Sequence, residues 1–237
     1  MKAMIFSAGL GTRFKPWTDS HPKALALING KSLLQRNIEY LQQYGIEEIV
    51  INVHHFAEQI IEAVNSNNGW GSHITISDER DEVLETGGGL LKAAHLLNDA
   101  TFLTINVDIL TDLNLSHFIE FHKKQQSFIT LATTDRTTSR YLLFDEKDRL
   151  CGWRNKSNGA EKKAMETKEV YEKAYSGIAL FEPLVFDKIN QQGKFSLIDV
   201  YLHLAASNKI MSYDHSGGKL LDVGKPESTS IAEKMFP

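Results

Sequence analysis

From its second residue to about residue 106 the chain alternates short β-branched runs with amphipathic segments, a rhythm that few architectures accept. KAMIFS (2–7), EIVINV (48–53), HITIS (73–77) and TFLTIN (101–106) have the composition of buried strands. Between the first two, Leu34, Ile38 and Leu41 recur at helical spacing, Ser32 with Gln35 predicts a capping box, and Gly45 predicts the stop. Segments 56–66, 88–97 and 115–125 read as further helices. Strands separated by helices pack as a mostly parallel sheet covered on both faces, so the fold class is α/β. Beyond about residue 127 the rhythm changes: SFITLAT, YLLFDE, RLCGW and YSGIALF are strand-like with little helix between them, which makes the sheet mixed. NKSNGAEKKAMETKE (155–169) predicts an exposed loop, and helices at 196–207 and 226–235 bracket a short strand at 219–223. At 237 residues one domain, 1–237, is expected, with no internal repeat.

The longest apolar runs fall well short of the roughly 20 residues a membrane span requires. MIFSAGLG is too short for a secretory apolar region and runs straight into turn-rich sequence. Cys151 is the single cysteine, which excludes an internal disulfide and fits a reducing cytoplasm. A net charge of -4 argues against a nucleic-acid surface. His54 and His55 end a strand, where adjacent side chains point apart, so a shared metal is not expected.

The first strand empties into GLGTRFKPWTDSHPK. Glycines let backbone N–H groups approach a phosphate closely. A P-loop would need Gly-Lys-Ser/Thr where Gly11 is followed by Thr12 and Arg13, and a dinucleotide loop would need a third glycine where Phe14 stands. What remains is a loop with backbone donors, the Thr12 hydroxyl, the Arg13 fork and the nearby Lys15 and Lys23, a set suited to a triphosphate. The plain alternative is a turn with solvated cations. Asp108 leaves an apolar strand in TINVDILTD and Asp222 another in KLLDVGKPE, at the strand ends where α/β sheets gather ligands. Two such carboxylates suit Mg²⁺, which takes one or two carboxylates plus phosphates and water. The alternative is that each caps the following turn.

GLGTRFKPWTDSHPK resembles the Gly-x-Gly-Thr-Arg-x-x-Pro…Pro-Lys motif of the sugar-phosphate nucleotidylyltransferases, and the likeness extends from Lys2 to the last helix. It implies a three-layer α/β/α Rossmann-like nucleotidyltransferase fold around a mostly parallel mixed sheet. A nucleotide-binding half would span 1–126 and a sugar-phosphate-binding half 127–237. The implied activity is Mg²⁺-dependent transfer of NMP from a nucleoside triphosphate to a sugar 1-phosphate, with NDP-sugar and pyrophosphate as products. Such a role belongs to nucleotide-sugar biosynthesis for cell-envelope polysaccharide. By resemblance Ala8, Gly9, Gly11, Thr12, Arg13 and Lys23 hold the triphosphate, with Arg13, Lys23 and Asp108 catalytic and Asp108 and Asp222 on the metal. LETGGGLLKA resembles the base-contacting segment, which places Thr86 and Gly87 at the nucleobase and either Glu79 or Arg80 as its reader. Asn106 and Gly177, the latter in AYSGIALFEP, would flank the sugar, and Asp199 would stand near it.

Two departures matter. Val107 replaces the glycine that usually precedes the first metal aspartate, and Trp153, Arg154 and Asn155 stand where relatives carry a Glu-Lys pair, which makes Arg154 a candidate phosphate contact. The nearest likeness within the family is to short single-domain members, uridylyltransferases of N-acetylmuramate 1-phosphate and guanylyltransferases of heptose or mannose 1-phosphate. No appended β-helix is expected, and the protein is read as a monomer or small homo-oligomer without a membrane partner. The alternatives are a phosphocholine cytidylyltransferase, for which Trp17, Trp70 and Trp153 could furnish an aromatic cage, and a catalytically silent nucleotide-sugar sensor.

Overall fold

The computed structural model describes residues 1–237. The chain runs β1 (Lys2–Phe6), β2 (Leu27–Ile28), β3 (Lys31–Ser32), α1 (Leu33–Gln42), β4 (Glu48–Val53), α2 (Ala57–Ser66), β5 (His73–Asp78), α3 (Glu85–Lys92), α4 (Ala94–Leu97), β6 (Phe102–Asn106), β7 (Ile109–Thr111) and α5 (Leu115–Gln125). It continues through β8 (Ile129–Thr134), β9 (Arg140–Phe144), β10 (Leu150–Asn155), β11 (Ala160–Lys163), β12 (Tyr171–Phe181), α6 (Leu197–Ala205), β13 (Ile210–Asp214), β14 (Leu220–Asp222) and α7 (Ser228–Met235).

β5, β4, β1 and β6 lie side by side and all parallel. β12 joins the free side of β6 antiparallel, β8 pairs antiparallel with β12, and β13 closes that side parallel to β8. The early residues of β12, Tyr171–Lys173, pair instead with β9, so one long strand leaves the main sheet and opens an antiparallel extension through β9, β10 and β11. The segment read as a loop at 155–169 thus contains β11, the outer arm of a hairpin. Its four residues are all exposed and mostly charged, so no apolar alternation betrays the strand; backbone pairing with β10 makes it.

Side chains of β1 alternate between two cores. Ala3 and Ile5 pack with Ile38 and Leu41 of α1, Ile60 of α2, Phe118 of α5 and Ala232 of α7. Met4 and Phe6 pack with Leu90 of α3, Leu97 of α4, and Val200 and Tyr201 of α6. Helices therefore cover both faces, which is the three-layer arrangement. α1 forms because its apolar residues share one stripe and because the Ser32 hydroxyl accepts from Gln35 N–H at 3.0 Å. The reciprocal half of the capping box is not made: Gln35 donates to Glu39 at 2.8 Å instead. No helix is long and apolar enough to cross a membrane.

Candidate active site

The parallel strands β1 and β6 end at one edge of the sheet, and a cleft of about 270 Å³ opens there. Ser7, the first residue past β1, is pinned from below. Its N–H donates to Asn52 Oδ1 at 2.7 Å and its hydroxyl to the Asn52 carbonyl at 2.5 Å. This fixes the take-off of the glycine loop, of which Gly9, Gly11, Thr12 and Arg13 line the cleft while Ala8 links Ser7 to Gly9. The N–H groups of Gly9, Leu10 and Gly11 donate to no protein acceptor, which leaves them for a ligand. Gly11 has φ +60°, and a Cβ there would lie 2.9 Å from Thr18 Cγ2 and 3.2 Å from Lys23 Cβ. Both the backbone turn and the close approach of Lys23 demand glycine.

Lys23 Nζ meets Asp108 Oδ2 at 2.5 Å, and the pair is largely covered, 10% and 22% exposed. Asp222 reaches the same place from the far end of the chain. β14 pairs with β7, Asp222 stands opposite Ile109, and Val223 N–H donates to the Asp108 carbonyl at 2.8 Å. Asp222 is exposed as a residue, but protein crowds its carboxyl end. That desolvation, then the charge of Asp108, raises its carboxyl above the ordinary range, with Lys23, Arg13 and Arg136 pulling the other way. Gly224 keeps Arg13 close: the point where its Cβ would sit is 2.9 Å from Asp222 Oδ1 and 3.3 Å from Arg13 Nη2. No group of three or more His, Cys, Asp or Glu side chains gathers in the chain. A metal at the cleft would draw on Asp108, Asp222 and the substrate's own oxygens. Two converging carboxylates, one of them raised by burial and then by the other's charge, suit a divalent cation that keeps phosphate and water ligands.

Asn106 and Val107 form the floor. Val107 is anchored at both backbone groups, its N–H on the Phe6 carbonyl at 3.1 Å and its carbonyl on Asn37 Nδ2 at 2.9 Å. Gly177, with φ +75°, brings β12 against that floor; a Cβ would lie 2.9 Å from Asn106 Nδ2.

Other expected contacts lie elsewhere. Thr86 lines the cleft, with its hydroxyl accepting from Leu197 N–H at 3.1 Å, but Gly87 faces Phe195. A Cβ on Gly87 would run into that ring, and its N–H is taken by the Phe195 carbonyl at 2.9 Å. The glycine run therefore serves helix-to-loop packing. Glu79, 1% exposed, lies beneath the site. Its Oε1 accepts from Asn52 Nδ2 at 2.8 Å, its Oε2 has no partner, and burial raises its carboxyl above the ordinary range. Glu79 thus supports the Asn52–Ser7 clamp. Arg80 is spent on Asp78 and Glu58.

In the extension, Arg154 is not free for phosphate. It donates to Glu161 at 2.8 Å and to Glu172 at 2.7 Å, and Lys156 shares Glu172 at 2.6 Å. Asp199 pairs with Lys162 at 2.6 Å, and Asn155 accepts from Ser157 inside its own turn. Cys151 is buried in β10, where burial pushes its thiol up to about 11. Sequence reasoning passed over Ser7, Asn52, Gly224 and Arg136. For Asn52, a lone amide inside EIVINV was the available signal, since a polar side chain in a buried strand needs a partner.

This edge sets unpartnered loop donors and two carboxylates against arginine and lysine, a combination chemically suited to phosphate groups and a divalent cation. The family model for nucleotidyl transferases matches residues 2–235. The chain is 31% identical to the N-acetylmuramate alpha-1-phosphate uridylyltransferase of Neisseria meningitidis over 94% of its length and 93% of the relative's. It is 29% identical to the enzyme of the same name from Caulobacter vibrioides, over 98% and 95%. The fold superposes on HddC from Yersinia pseudotuberculosis complexed with GMP-PN with a TM-score of 0.79 at 23% identity, covering 100% of this chain and 99% of that one. The chain belongs to the sugar-phosphate nucleotidyltransferase family and is an enzyme of that class.

Proposed function

We propose that the protein transfers a nucleoside monophosphate from a nucleoside triphosphate to a sugar 1-phosphate and releases pyrophosphate. One observation carries the reading: Lys23 meets Asp108, and Arg13 stands across Gly224 from Asp222, beside a loop whose N–H groups are free. The names of the two bacterial relatives make UTP with N-acetylmuramate 1-phosphate the first pair to try.

The nucleophile is an oxygen of the acceptor phosphate attacking the α-phosphorus. With a second pKa of about 6, a phosphate monoester is largely dianionic at neutral pH and needs no general base. The residues' work is therefore to hold two repelling anions in line and to neutralise charge on the transferring group. The loop N–H groups and Arg13 would bind the triphosphate. Lys23, exchanging Asp108 for a phosphate oxygen, would bring a fixed cation to it. Asp108 and Asp222 would hold Mg²⁺, which when bound supplies charge neutralisation shared by both substrates. Because transfer is direct, no nucleotidylated protein forms. We place the reaction in the cytoplasm, where nucleoside triphosphates are available.

Trp17, Trp70 and Trp153 lie on separate elements, and none lines the cleft, so they form no cage for a quaternary amine. The test is pyrophosphate release from four nucleoside triphosphates against N-acetylmuramate, mannose, heptose and glucose 1-phosphates and phosphocholine, with and without Mg²⁺, beside Asp108→Asn. Release with one sugar 1-phosphate, lost on chelation and in the variant, supports the proposal. Release with phosphocholine alone, or triphosphate binding with no release from any pair, overturns it.

A further inference from the structure

The acceptor phosphate must sit within bonding distance of the α-phosphorus, next to a triphosphate already carrying about four negative charges. It needs a cation of its own, and Arg154 is neutralised by Glu161 and Glu172. The sheet supplies another. β8 is antiparallel to β12, which is antiparallel to β6, so β8 points the same way as β6 and ends at the same edge. Arg136 leaves that end two residues after Thr134.

Its guanidinium is anchored to β12. Nη2 donates to the Tyr175 carbonyl at 2.9 Å, two residues before the Gly177 that rests on Asn106. No carboxylate lies within ion-pairing distance, in contrast to Lys23, Arg80, Arg149 and Arg154. Its Nε is buried without an acceptor. The neighbouring His215 contributes no charge: its Nε2 is engaged with Ser176 Oγ at 2.8 Å, and burial lowers its pKa in spite of Asp214 and Asp112. A half-buried guanidinium with three uncommitted N–H bonds on Nη1 and Nη2, and no counter-charge, is matched by a phosphate.

We propose that Arg136 binds the phosphate of the acceptor sugar 1-phosphate, across the Asp108–Asp222 pair from the triphosphate cations. The assignment rests on the transferase reading for the identity of the ligand, while the anion site itself can be measured without turnover.

The test uses the full chain saturated with the α,β-methylene analogue of UTP or GTP, into which inorganic phosphate and methyl phosphate are titrated by ³¹P NMR. Arg136→Gln should weaken both phosphates by about ten- to a hundredfold, the size of a charged hydrogen-bond pair, and Arg136→Lys by less. Affinity for the triphosphate analogue should stay within about twofold in both, whereas Arg13→Ala should show the reverse pattern. Circular dichroism checks that each variant is folded, and the lysine variant keeps the charge should glutamine unfold the segment. Unchanged phosphate affinity in folded Arg136 variants, a parallel loss of the triphosphate analogue, or a wild type that takes neither phosphate would overturn the proposal. A wild type that binds both ligands yet transfers to no sugar 1-phosphate would sink the transferase reading and leave the Arg136 site standing.

Discussion

On the glycine-loop side of the cleft, Arg13 and Lys23 face two carboxylates, of which Asp222 is raised by burial and then by the charge of Asp108, and the loop N–H groups have no partner. On the β9–β11 side, Arg154 and Lys156 close on Glu172, Arg154 also on Glu161, and Lys162 on Asp199. Both regions are rich in charge and hold ion pairs, but only the first also leaves a cation, Arg13, without an ion-pair partner and a run of N–H groups without acceptors. Unspent capacity is costly to maintain in a folded chain and is recovered when a ligand arrives. Paired charge near the surface contributes little beyond local order.

The contrast breaks most readily at Asp108. Asp108→Asn removes the partner of Lys23 and one of the two carboxylates, and transfer should fall by about 10²–10³-fold with the fold intact by circular dichroism. A loss below about tenfold would place the chemistry elsewhere.

Next in size is Gly89→Ala, which tests the support beneath the loop. A Cβ there would lie 2.6 Å from Glu79 Oε1 and 3.0 Å from Asn52 Nδ2. Overpacking of this kind costs about 1–3 kcal/mol, read by urea unfolding. Because Asn52 holds Ser7, KM for the triphosphate should rise as well. Unchanged stability would mean that the Glu79 and Asn52 side chains yield to a Cβ without cost.

On the paired side, Arg154→Ala should change the rate and the acceptor KM by no more than about threefold, since its charge is already cancelled and exposed pairs are worth roughly 0–1 kcal/mol. A tenfold rise in acceptor KM would restore Arg154 to the site and end the contrast.

The same contrast explains what could be read in advance. The glycine loop was legible because its residues are close in sequence: Gly11 must turn, Arg13 follows two residues later and Lys23 twelve, and β1 delivers them to the sheet edge. The central strands were legible because β-branched runs bury themselves on both faces. Arg154 was misread because its fate depends on Glu172, eighteen residues away on another strand. Gly87 was misread because Phe195 claims its N–H from the other half of the chain, and β11 was missed because pairing, not hydrophobicity, makes it a strand. Arg136 carries no motif at all; only the direction of β8 shows which edge it occupies.

The smallest expected effect concerns Glu79, read from the sequence as a nucleobase contact and found buried under the loop. Its carboxyl is raised by burial, against the pull of the Asn52 hydrogen bond. The fold therefore favours the neutral acid relative to the unfolded chain, which ionises at the ordinary value of about 4.3. The stability this group contributes is complete below that value and is lost as pH rises toward the folded pKa. Glu79→Gln keeps the acceptor for Asn52 and cannot ionise. Its melting temperature relative to wild type should rise as pH climbs from about 4 through the folded pKa and level off above it, with KM for the triphosphate unchanged within about twofold. A pH-independent difference in melting would deny the buried carboxyl its raised pKa. A KM rising about tenfold with one triphosphate alone would put Glu79 against the base after all, and the clamp beneath the loop would then be part of the reading surface.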